Sequence, residues 1–387
     1  MTIVWADDIT GAAEIAGISL RYGLNTALLT SLPTEEFAKA DTVVIATNIR
    51  SASKADAEKQ SLEICRIIDG YIKSQAANTE TQLFIKTDSV LRGHINTELS
   101  AAMSTLNRNC SLLIAQNPSK GRIIKSSTYY INGTKLEDTL FNKDPEFPAI
   151  SSSPAAIVGG NCTILPVEED IRGGRNTIFI GEAATTDDIR KQMSKAEGGM
   201  ILAGGADFFE AYLLHSVLPH HPPETACQHT DITELASDCS LVVSGSTQGK
   251  SILDTPLMKR LHAKETSIPD DVFEGADPSS WIADSCTMFS SSRAMIMRIG
   301  EHEFKGVEYA QRLKRVMALA TEALIRTKKT SLLIIEGGAT AFAILEQLKW
   351  NKFSMTHEFA PGVVAMRHGE TTVILKPGSY SWGELFN

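Results

Sequence analysis

The sequence has few cysteines and lacks the cysteine patterns that hold metal ions. Six cysteines are scattered along 387 residues, and no two of them form a C-x-x-C pair. This distribution argues against a structural zinc site and against a compact disulfide framework. We expect most of the cysteines to be small buried apolar residues. His220 and His221 have no further ligand at helical spacing, so we interpret them as part of a polar linker.

The chain also lacks a long apolar run and an excess of basic residues. No segment approaches the roughly 20 apolar residues that a membrane-spanning helix needs, and the first residues, MTIVWADDIT, carry acids where a signal peptide has a basic region. The 37 Lys and Arg residues face 46 Asp and Glu residues, a formal net charge of -9. These features predict a cytoplasmic protein without bulk attraction for nucleic acid or membranes. An acidic protein of this size is often a homodimer, although no residue pattern marks an interface.

Three common catalytic signatures are absent as well. The sequence contains no G-x-S-x-G, no H-E-x-x-H and no G-x-G-x-x-G, so it gives no support to a serine hydrolase, a zinc peptidase or a dinucleotide dehydrogenase. Its 43% hydrophobic and 21% charged residues are ordinary for a globular protein, which argues against disorder and coiled coils. The length favours two domains.

Short apolar runs alternate with helix-like stretches along most of the chain. The runs TALLT, DTVVIATN, TQLFIKTD and CSLLIAQN have strand length and end in polar residues. The alternation predicts an α/β fold of two domains, each a mostly parallel sheet with helices on both faces. We assign residues 1–220 to the first domain, 221–235 to a Pro- and His-rich linker, and 236–387 to the second. Turn-forming residues between 128 and 154 predict a long excursion or lid.

Charged residues close several strand-like runs of the first domain. Ligands of parallel sheets bind at the carboxyl ends of the strands, and a cluster of carboxylates and cations there suits a polyhydroxylated anion. Two interpretations of the first acidic pair remain open: it begins a helix, or it contacts a substrate or metal. The candidate substrate-binding residues are Asp7, Asp8, Arg50, Lys86, Asp88, Ser89, Arg92 and Arg122.

Glycine-rich turns follow the strand-like runs of the second domain. The segment from Gly245 to Ser251 is not a Walker motif, because three residues rather than four separate its glycines. A phosphate contact and a plain strand-to-helix turn both remain open for it. Similar turns occur at Glu336–Thr340 and Lys376–Ser379. Together the three turns predict a nucleotide site, because a nucleotide needs close approach by backbone.

The motifs themselves resemble those of a known family. The N-terminal half contains WADDITGA, KTDSVLRG, NPSKGR, YING and DPEFP, and the C-terminal half contains SGS, GGATA, Pro361-Gly362 and LKPG. In their order and spacing they resemble the four-carbon acid sugar kinases. The resemblance implies an ATP-dependent kinase that phosphorylates the terminal hydroxyl of threonate, erythronate or an oxo-tetronate. It also implies that the first domain binds the sugar acid and that the second binds ATP through Ser244, Gly245, Ser246, Gly337, Gly338, Ala339, Thr340, Gly362 and Gly378.

For such a reaction we assign the catalytic role to Asp8, which would orient the acceptor hydroxyl and take its proton. We expect Mg²⁺ to be held mainly by the nucleotide and water, and the sequence names no protein ligand for it. We also expect the two domains to close over both substrates.

The chain departs from the family pattern at several positions. Ala339 stands where the family usually has an acid, Ile49 stands in a motif that commonly reads T-x-S-R, and Ser379-Tyr380 replace a more usual Gly-Phe. Ala339 favours an alternative in which the chain is a sugar-acid sensor with an eroded nucleotide site. Another alternative is a different nucleotide-dependent enzyme that acts on a small hydroxy acid. ATP turnover stimulated by a four-carbon acid would separate the kinase from both.

Overall fold

The computed structural model describes residues 1–75, 81–144, 146–196, 199–219, 239–245, 252–300, 302 and 306–378. The linker predicted at 221–235 lies outside these residues. The contacts between Cα atoms divide the chain into two units, one of Met1–Thr26 and Ser31–Thr225 and the other of Ala27–Thr30 and Ala226–Asn387. No helix of the described residues combines the length and apolar character needed to cross a membrane.

The two kinds of element alternate along the chain, as the sequence pattern predicts. The strands are β1 (Thr2–Ala6), β2 (Thr26–Leu29), β3 (Thr42–Ala46), β4 (Gln82–Lys86), β5 (Cys110–Ile114), β6 (Arg122–Lys125), β7 (Thr128–Ile131), β8 (Thr134–Lys135), β9 (Cys162–Leu165), β10 (Thr177–Gly181), β11 (Ile201–Gly204), β12 (Ser240–Ser244), β13 (Lys264–Ser267), β14 (Ala294–Arg298), β15 (Leu332–Glu336), β16 (Lys352–Ala360), β17 (Val363–His368) and β18 (Thr371–Lys376). The α-helices of the described residues are α1 (Ile9–Arg21), α2 (Lys54–Ser74), α3 (Ile95–Thr105), α4 (Pro154–Val158), α5 (Thr186–Ser194), α6 (Ala206–Tyr212), α7 (Pro256–Arg260), α8 (Asp270–Glu274), α9 (Ser279–Ser290), α10 (Val307–Thr327) and α11 (Gly338–Gln347).

The first unit is built on a parallel sheet in the order β3-β1-β4-β11-β5-β10-β9. β1 and β3 are buried along their whole length, as expected for strands covered on both faces. α1 leads from β1 to one side of the sheet, whereas α2 and α3 lead to the other side. Because crossover connections are right-handed, these helices lie on opposite faces. The contacts agree, since α1 packs on α6 and α2 packs on α3.

The predicted excursion forms a small antiparallel sheet in the order β6-β7-β8, followed by turns. It belongs to the first unit. The sequence predicts that this excursion exists but places its start too late, because β6 begins at Arg122 rather than at residue 128.

The second unit has a sheet whose order is β13-β14-β12-β15-β18-β17-β16-β2. The first five strands are parallel, and the remaining pairs are antiparallel. β2 is the exception to the sequence-based limits, because residues 27–30, which include most of β2, group with the second unit rather than with residues 1–220. Its Leu28 pairs with Phe353 of β16. A short apolar strand carries no signal of which sheet it will join.

Candidate functional site

Two aspartates at the end of β1 share one arginine. Arg50 lies on a short 3-10 turn after β3, and β3 is the neighbour of β1. The guanidinium of Arg50 donates to Asp7 from Nε and from Nη2, both at 2.7 Å. Its Nη1 donates to Asp8 Oδ2 at 2.9 Å. A bidentate pair of this kind fixes the geometry of both partners.

Asp8 also begins the first helix. Its Oδ1 accepts the backbone N–H of Gly11 at 2.8 Å, and its Oδ2 accepts the Thr10 hydroxyl at 2.5 Å. Asp8 is therefore the N-cap of α1, as the helix-start interpretation predicts, and this contact is compatible with a role at a substrate as well. A Cβ atom on Gly11 would lie 2.7 Å from Asp8 Oδ1 and 3.1 Å from Lys86 Nζ, so a glycine is needed here. Asp7, which is buried, has its bidentate partner in Arg50 instead.

A third carboxylate joins this network from the end of β4. Asp88 accepts Arg92 Nη2 at 2.8 Å and Arg92 Nε at 3.2 Å. Its Oδ2 lies 3.7 Å from Nη1 of Arg50. Arg92 in turn donates to Asp144 at 3.0 Å, which ties the excursion to the strand ends. One guanidinium, that of Arg50, thus lies among three carboxylates.

Burial and the neighbouring charges shift the pKa values of this network in opposite directions. Burial raises the pKa of Asp7, with Asp8 and Asp88 adding to the effect and Arg50 opposing it. Burial also acts to raise the pKa of Asp8 and of Asp88, but the charge of Arg50 and of nearby cations outweighs it and lowers both. Burial acts to lower the pKa of Arg50, but the three carboxylates outweigh it and raise that pKa well above the ordinary value. Asp8 and Asp88 are therefore carboxylates at neutral pH.

Lys86, the last residue of β4, faces a buried acid on α1. Its Nζ lies 3.6 Å from Glu14 Oε2 and donates to the Thr87 carbonyl at 2.9 Å. Lys120 donates to the other oxygen of Glu14 at 2.5 Å. Neither Glu14 nor Lys120 is among the substrate-binding residues predicted from the sequence. The signal for Glu14 is an acid within the small apolar helix stretch AAEIAGI, a place where a charge needs partners.

Ser89 and Arg122 meet beside the excursion. Arg122 donates to the Ser89 hydroxyl, and the Tyr129 hydroxyl donates to the Ser89 carbonyl. The guanidinium carbons of Arg92 and Arg122 lie 5.7 and 5.9 Å from the centre of the Phe141 ring, within the range of cation–π attraction. The excursion thus holds two arginines, the residue type best suited to a carboxylate ligand.

The structure therefore brings the predicted substrate-binding residues of the first unit to the carboxyl ends of its strands. Carboxylates there can accept hydrogen bonds from hydroxyl groups, and arginines and lysines can bind an acid group. Ile49, which departs from the family motif T-x-S-R, has a buried side chain. Ile49 packs in the core of the unit.

Glu98, on α3, is a buried acid near this network that the sequence analysis does not select. It is 1% exposed, and neither of its carboxylate oxygens has a hydrogen-bond partner among the described residues. Burial raises its pKa well above the ordinary value, the charge of Asp7 adds to the effect, and Arg50 opposes it. A neutral, protonated Glu98 avoids the large penalty of an unpaired buried charge.

We predict that Glu98→Gln makes the stability of the protein less dependent on pH. Folded Glu98 retains a proton that the unfolded chain loses above the ordinary value of 4.5, so its contribution falls as the pH rises from about 5 to about 7. Glutamine does not titrate, so the variant lacks this part of the change in unfolding free energy with pH. Urea unfolding at about pH 5 and about pH 7 measures the unfolding free energy, and the exposed Glu63→Gln is the control. Equal slopes for wild type and Glu98→Gln would mean that Glu98 is ionised in the folded protein.

In the second unit, the last residues of four neighbouring strands lie side by side in the sheet. Ser244 pairs with Arg298 on one side and with Glu336 on the other, and Glu336 pairs with Lys376. The Ser244 hydroxyl donates to Glu336 Oε2 at 2.6 Å, and Lys376 Nζ donates to Glu336 Oε1 at 2.6 Å. All four side chains are buried. A row of polar groups thus lies at the edge where parallel sheets bind ligands.

The glycine turns of the second unit lie at the same strand ends as this row. Gly337 has φ 99°, a conformation that favours glycine, and it is the N-cap of α11 without a side-chain capping bond. Gly362 lies in the two-residue turn between β16 and β17, and the carbonyl of Gly378 accepts Lys376 Nζ at 3.3 Å. Ala339 is exposed in the first turn of α11.

Ser246, which is among the predicted nucleotide-binding residues, lies outside the described residues. Within the described part of the chain, no three His, Cys, Asp or Glu side chains are grouped so that they could hold a metal ion.

We predict that Gly245→Ala destabilises the second unit. A Cβ atom at this position would lie 2.6 Å from Thr340 Cβ and 3.1 Å from the Glu336 carbonyl oxygen, so the start of α11 must shift. Overpacking of this kind costs about 1–3 kcal/mol. Thermal unfolding measures the loss, and the matched control is Gly70→Ala, where a Cβ meets nothing within 4 Å. A Gly245→Ala protein as stable as wild type would contradict the close approach of Gly245 to Thr340.

Comparison with known proteins finds family models for two separate parts of the chain. A family model described as a sugar-binding N-terminal domain matches residues 2–207, and one described as a nucleotide-binding C-terminal domain matches residues 281–380. A D-threonate kinase of Salmonella typhimurium is 30% identical over 191 residues, 48% of this chain and 44% of that protein. A 3-oxo-tetronate kinase of Haemophilus influenzae is 20% identical over 415 residues, 98% of this chain and 96% of that protein. The chain belongs to the four-carbon acid sugar kinase family.

Two solved structures are similar in fold to this chain. A Haemophilus influenzae protein matches with a TM-score of 0.70 at 19% identity, over 99% of this chain and 98% of that one. A Salmonella typhimurium protein matches with a TM-score of 0.74 at 18% identity, over 100% of this chain and 97% of that one. These likenesses concern the fold alone. The matches to the D-threonate kinase and to a 3-oxo-tetronate kinase of Brucella melitensis span less than half of each relative, 44% and 43%.

Proposed function

We propose that this protein is an ATP-dependent kinase that phosphorylates the terminal hydroxyl of a four-carbon sugar acid. The observation that carries the proposal is the arrangement of three carboxylates around Arg50 at the strand ends of the first unit, with further cations beside it. Relatives are named D-threonate, D-erythronate and 3-oxo-tetronate kinase. An acid of this class combines hydroxyl groups with one carboxylate and therefore needs both kinds of partner.

The first unit would bind the sugar acid. Asp7 and Asp88 would accept hydrogen bonds from its hydroxyls, and Lys86, Arg92 and Arg122 would attract its carboxylate. The ion pairs already present within the network orient these groups before the ligand arrives. Such preorganisation reduces the entropic penalty of binding.

Asp8 would orient the acceptor hydroxyl toward the γ-phosphate. Its lowered pKa makes it a weak base, so its main contribution is position, and it accepts the hydroxyl proton as the phosphoryl group leaves ATP. Phosphoryl transfer depends mostly on alignment and on charges placed at the transferring oxygens. The second unit would bind ATP at its glycine turns, and Mg²⁺ bound to the nucleotide would neutralise the charge of its phosphates.

A sensor that binds a sugar acid without turning over ATP is the second candidate. Ala339, in the first turn of α11, is the residue that favours it, because the family usually has an acid there. The buried Ser244–Glu336–Lys376 row argues for a working nucleotide site instead.

A coupled ADP-release assay with ATP and Mg²⁺ tests the proposal. The substrates are D- and L-threonate, D- and L-erythronate and 3-oxo-tetronate, and mass spectrometry identifies the product. A phosphorylated four-carbon acid would support the kinase and name its substrate. No turnover, together with a thermal shift from a sugar acid and none from ATP, would favour the sensor.

A further inference from the structure

We propose that Lys376 binds the terminal phosphates of the nucleotide and that Glu336 positions its ammonium group for this contact. The inference rests on the proposed function, because it assigns residues to the nucleotide site of the second unit. Both residues begin glycine turns that the sequence assigns to the nucleotide site, but neither side chain is given a role there from the sequence.

The position of Lys376 is fixed on several sides. It is the last residue of β18 and is 3% exposed. Its ammonium donates to Glu336 Oε1 at 2.6 Å and to the Gly378 carbonyl at 3.3 Å. Its own carbonyl accepts the N–H of Gly337 at 2.9 Å. The charge is therefore held beside the turn that leads into α11.

Two features that attract anions lie near this turn, because the backbone carbonyl of Lys376 accepts the N–H of Gly337, the N-cap of α11. The first is the ammonium of Lys376. The second is the N-terminus of α11, a helix of 10 residues whose N-cap, Gly337, makes no side-chain capping bond. Free N–H groups at a helix N-terminus attract anions, and a lysine is a common point-charge partner for phosphate. Their proximity suits a phosphate group better than either feature alone.

A purely structural ion pair is the competing explanation, because Glu336 and Lys376 join β15 to β18. Ile335 and Leu375, which directly precede Glu336 and Lys376, are an apolar pair in the same two strands. A well-packed apolar pair is often as stable as a buried ion pair, so stability alone does not require a charged pair at this position. The Ser244 hydroxyl occupies the second oxygen of Glu336. Glu336 is thus held from both sides, an arrangement that orients the lysine.

Nucleotide affinity measured by calorimetry distinguishes the two explanations. Wild type, Lys376→Met and Lys329→Met are titrated with ATP, ADP, AMP and adenosine. Lys329 is the matched control, because it forms an exposed pair with Glu370 near the opposite ends of the same two strands. We expect Lys376→Met to weaken ATP binding by about 10- to 100-fold, as for loss of a charged hydrogen bond. Adenosine affinity and all affinities of Lys329→Met stay within about two-fold of wild type.

A structural ion pair predicts a different pattern. Lys376→Met would then lower the unfolding temperature while ATP and adenosine affinities change by the same factor, and that result would overturn the assignment. Glu336→Gln provides a second variant if Lys376→Met does not fold: selective loss of ATP and ADP binding supports the positioning role, and unchanged selectivity overturns it. Wild-type protein that binds none of the four ligands would overturn the proposed nucleotide site itself.

Discussion

Replacing Asp8 by asparagine is expected to lower kcat by about 10²-fold, because the alignment of the acceptor hydroxyl, the main contribution of Asp8, is lost. Asparagine is also a good N-cap, so it can still accept the Gly11 N–H that Asp8 accepts at 2.8 Å. What it loses is the negative charge toward Arg50 and the acceptor hydroxyl. KM for the sugar acid should change by less than about ten-fold, because the interaction matters most in the transition state.

Steady-state kinetics with the substrate identified by the ADP-release assay measure both constants. Thr185→Ala is a suitable control, because Thr185 is the N-cap of α5 and its loss costs about 1 kcal/mol of stability without touching the proposed site. A higher KM at unchanged kcat would make Asp8 a binding residue. Unchanged kcat and KM would leave Asp8 only its role at the start of α1.

The strand ends of the first unit can be predicted from the sequence, because each depends only on a short apolar run and the polar residues that follow it. Apolar strand runs such as TVVIA mark β3, and the polar residues after them reach the ligand edge of a parallel sheet. Arg50 and Asp88 could therefore be selected before their contacts were known. The contact of Arg50 with three carboxylates could not be predicted, because the order of strands in the sheet decides which strand ends are neighbours.

The residues that the sequence did not reveal depend on long-range packing. Glu14 and Glu98 lie within helices, and only the folded unit shows that one has two lysine partners and the other has none among the described residues. The turns that begin at Glu336 and Lys376 are predicted from the sequence, but the contact between these two side chains is visible only once β18 is placed beside β15. The antiparallel pairing of β2 with β16 is likewise a tertiary choice.

Removing the charge of Arg50 is expected to have the largest effect on stability. Arg50→Met leaves Asp7, Asp8 and Asp88 without the cation that lies within 3.7 Å of all three. Breaking a buried pair from one side typically costs about 3–5 kcal/mol. Sugar-acid binding should be lost as well, because the carboxylates repel one another and the ligand. Urea unfolding at neutral pH measures the first effect and calorimetry the second.

The stability of Arg50→Met should depend on pH more strongly than that of wild type between about pH 7 and about pH 4. In wild type the pKa values of Asp8 and Asp88 lie below their ordinary value of 3.8, so their contribution to stability is complete above that value and is lost as the pH falls through the folded pKa values. Without Arg50, burial would raise these pKa values, and Arg50→Met should gain stability relative to wild type as the pH falls from about 7 to about 4. Arg21→Met, which breaks a half-exposed pair with Glu210, should stay within about 1 kcal/mol of wild type at both pH values. If Arg50→Met resembles Arg21→Met instead, the carboxylates must already be neutral or solvated, and Arg50 cannot be the centre of the sugar-acid site.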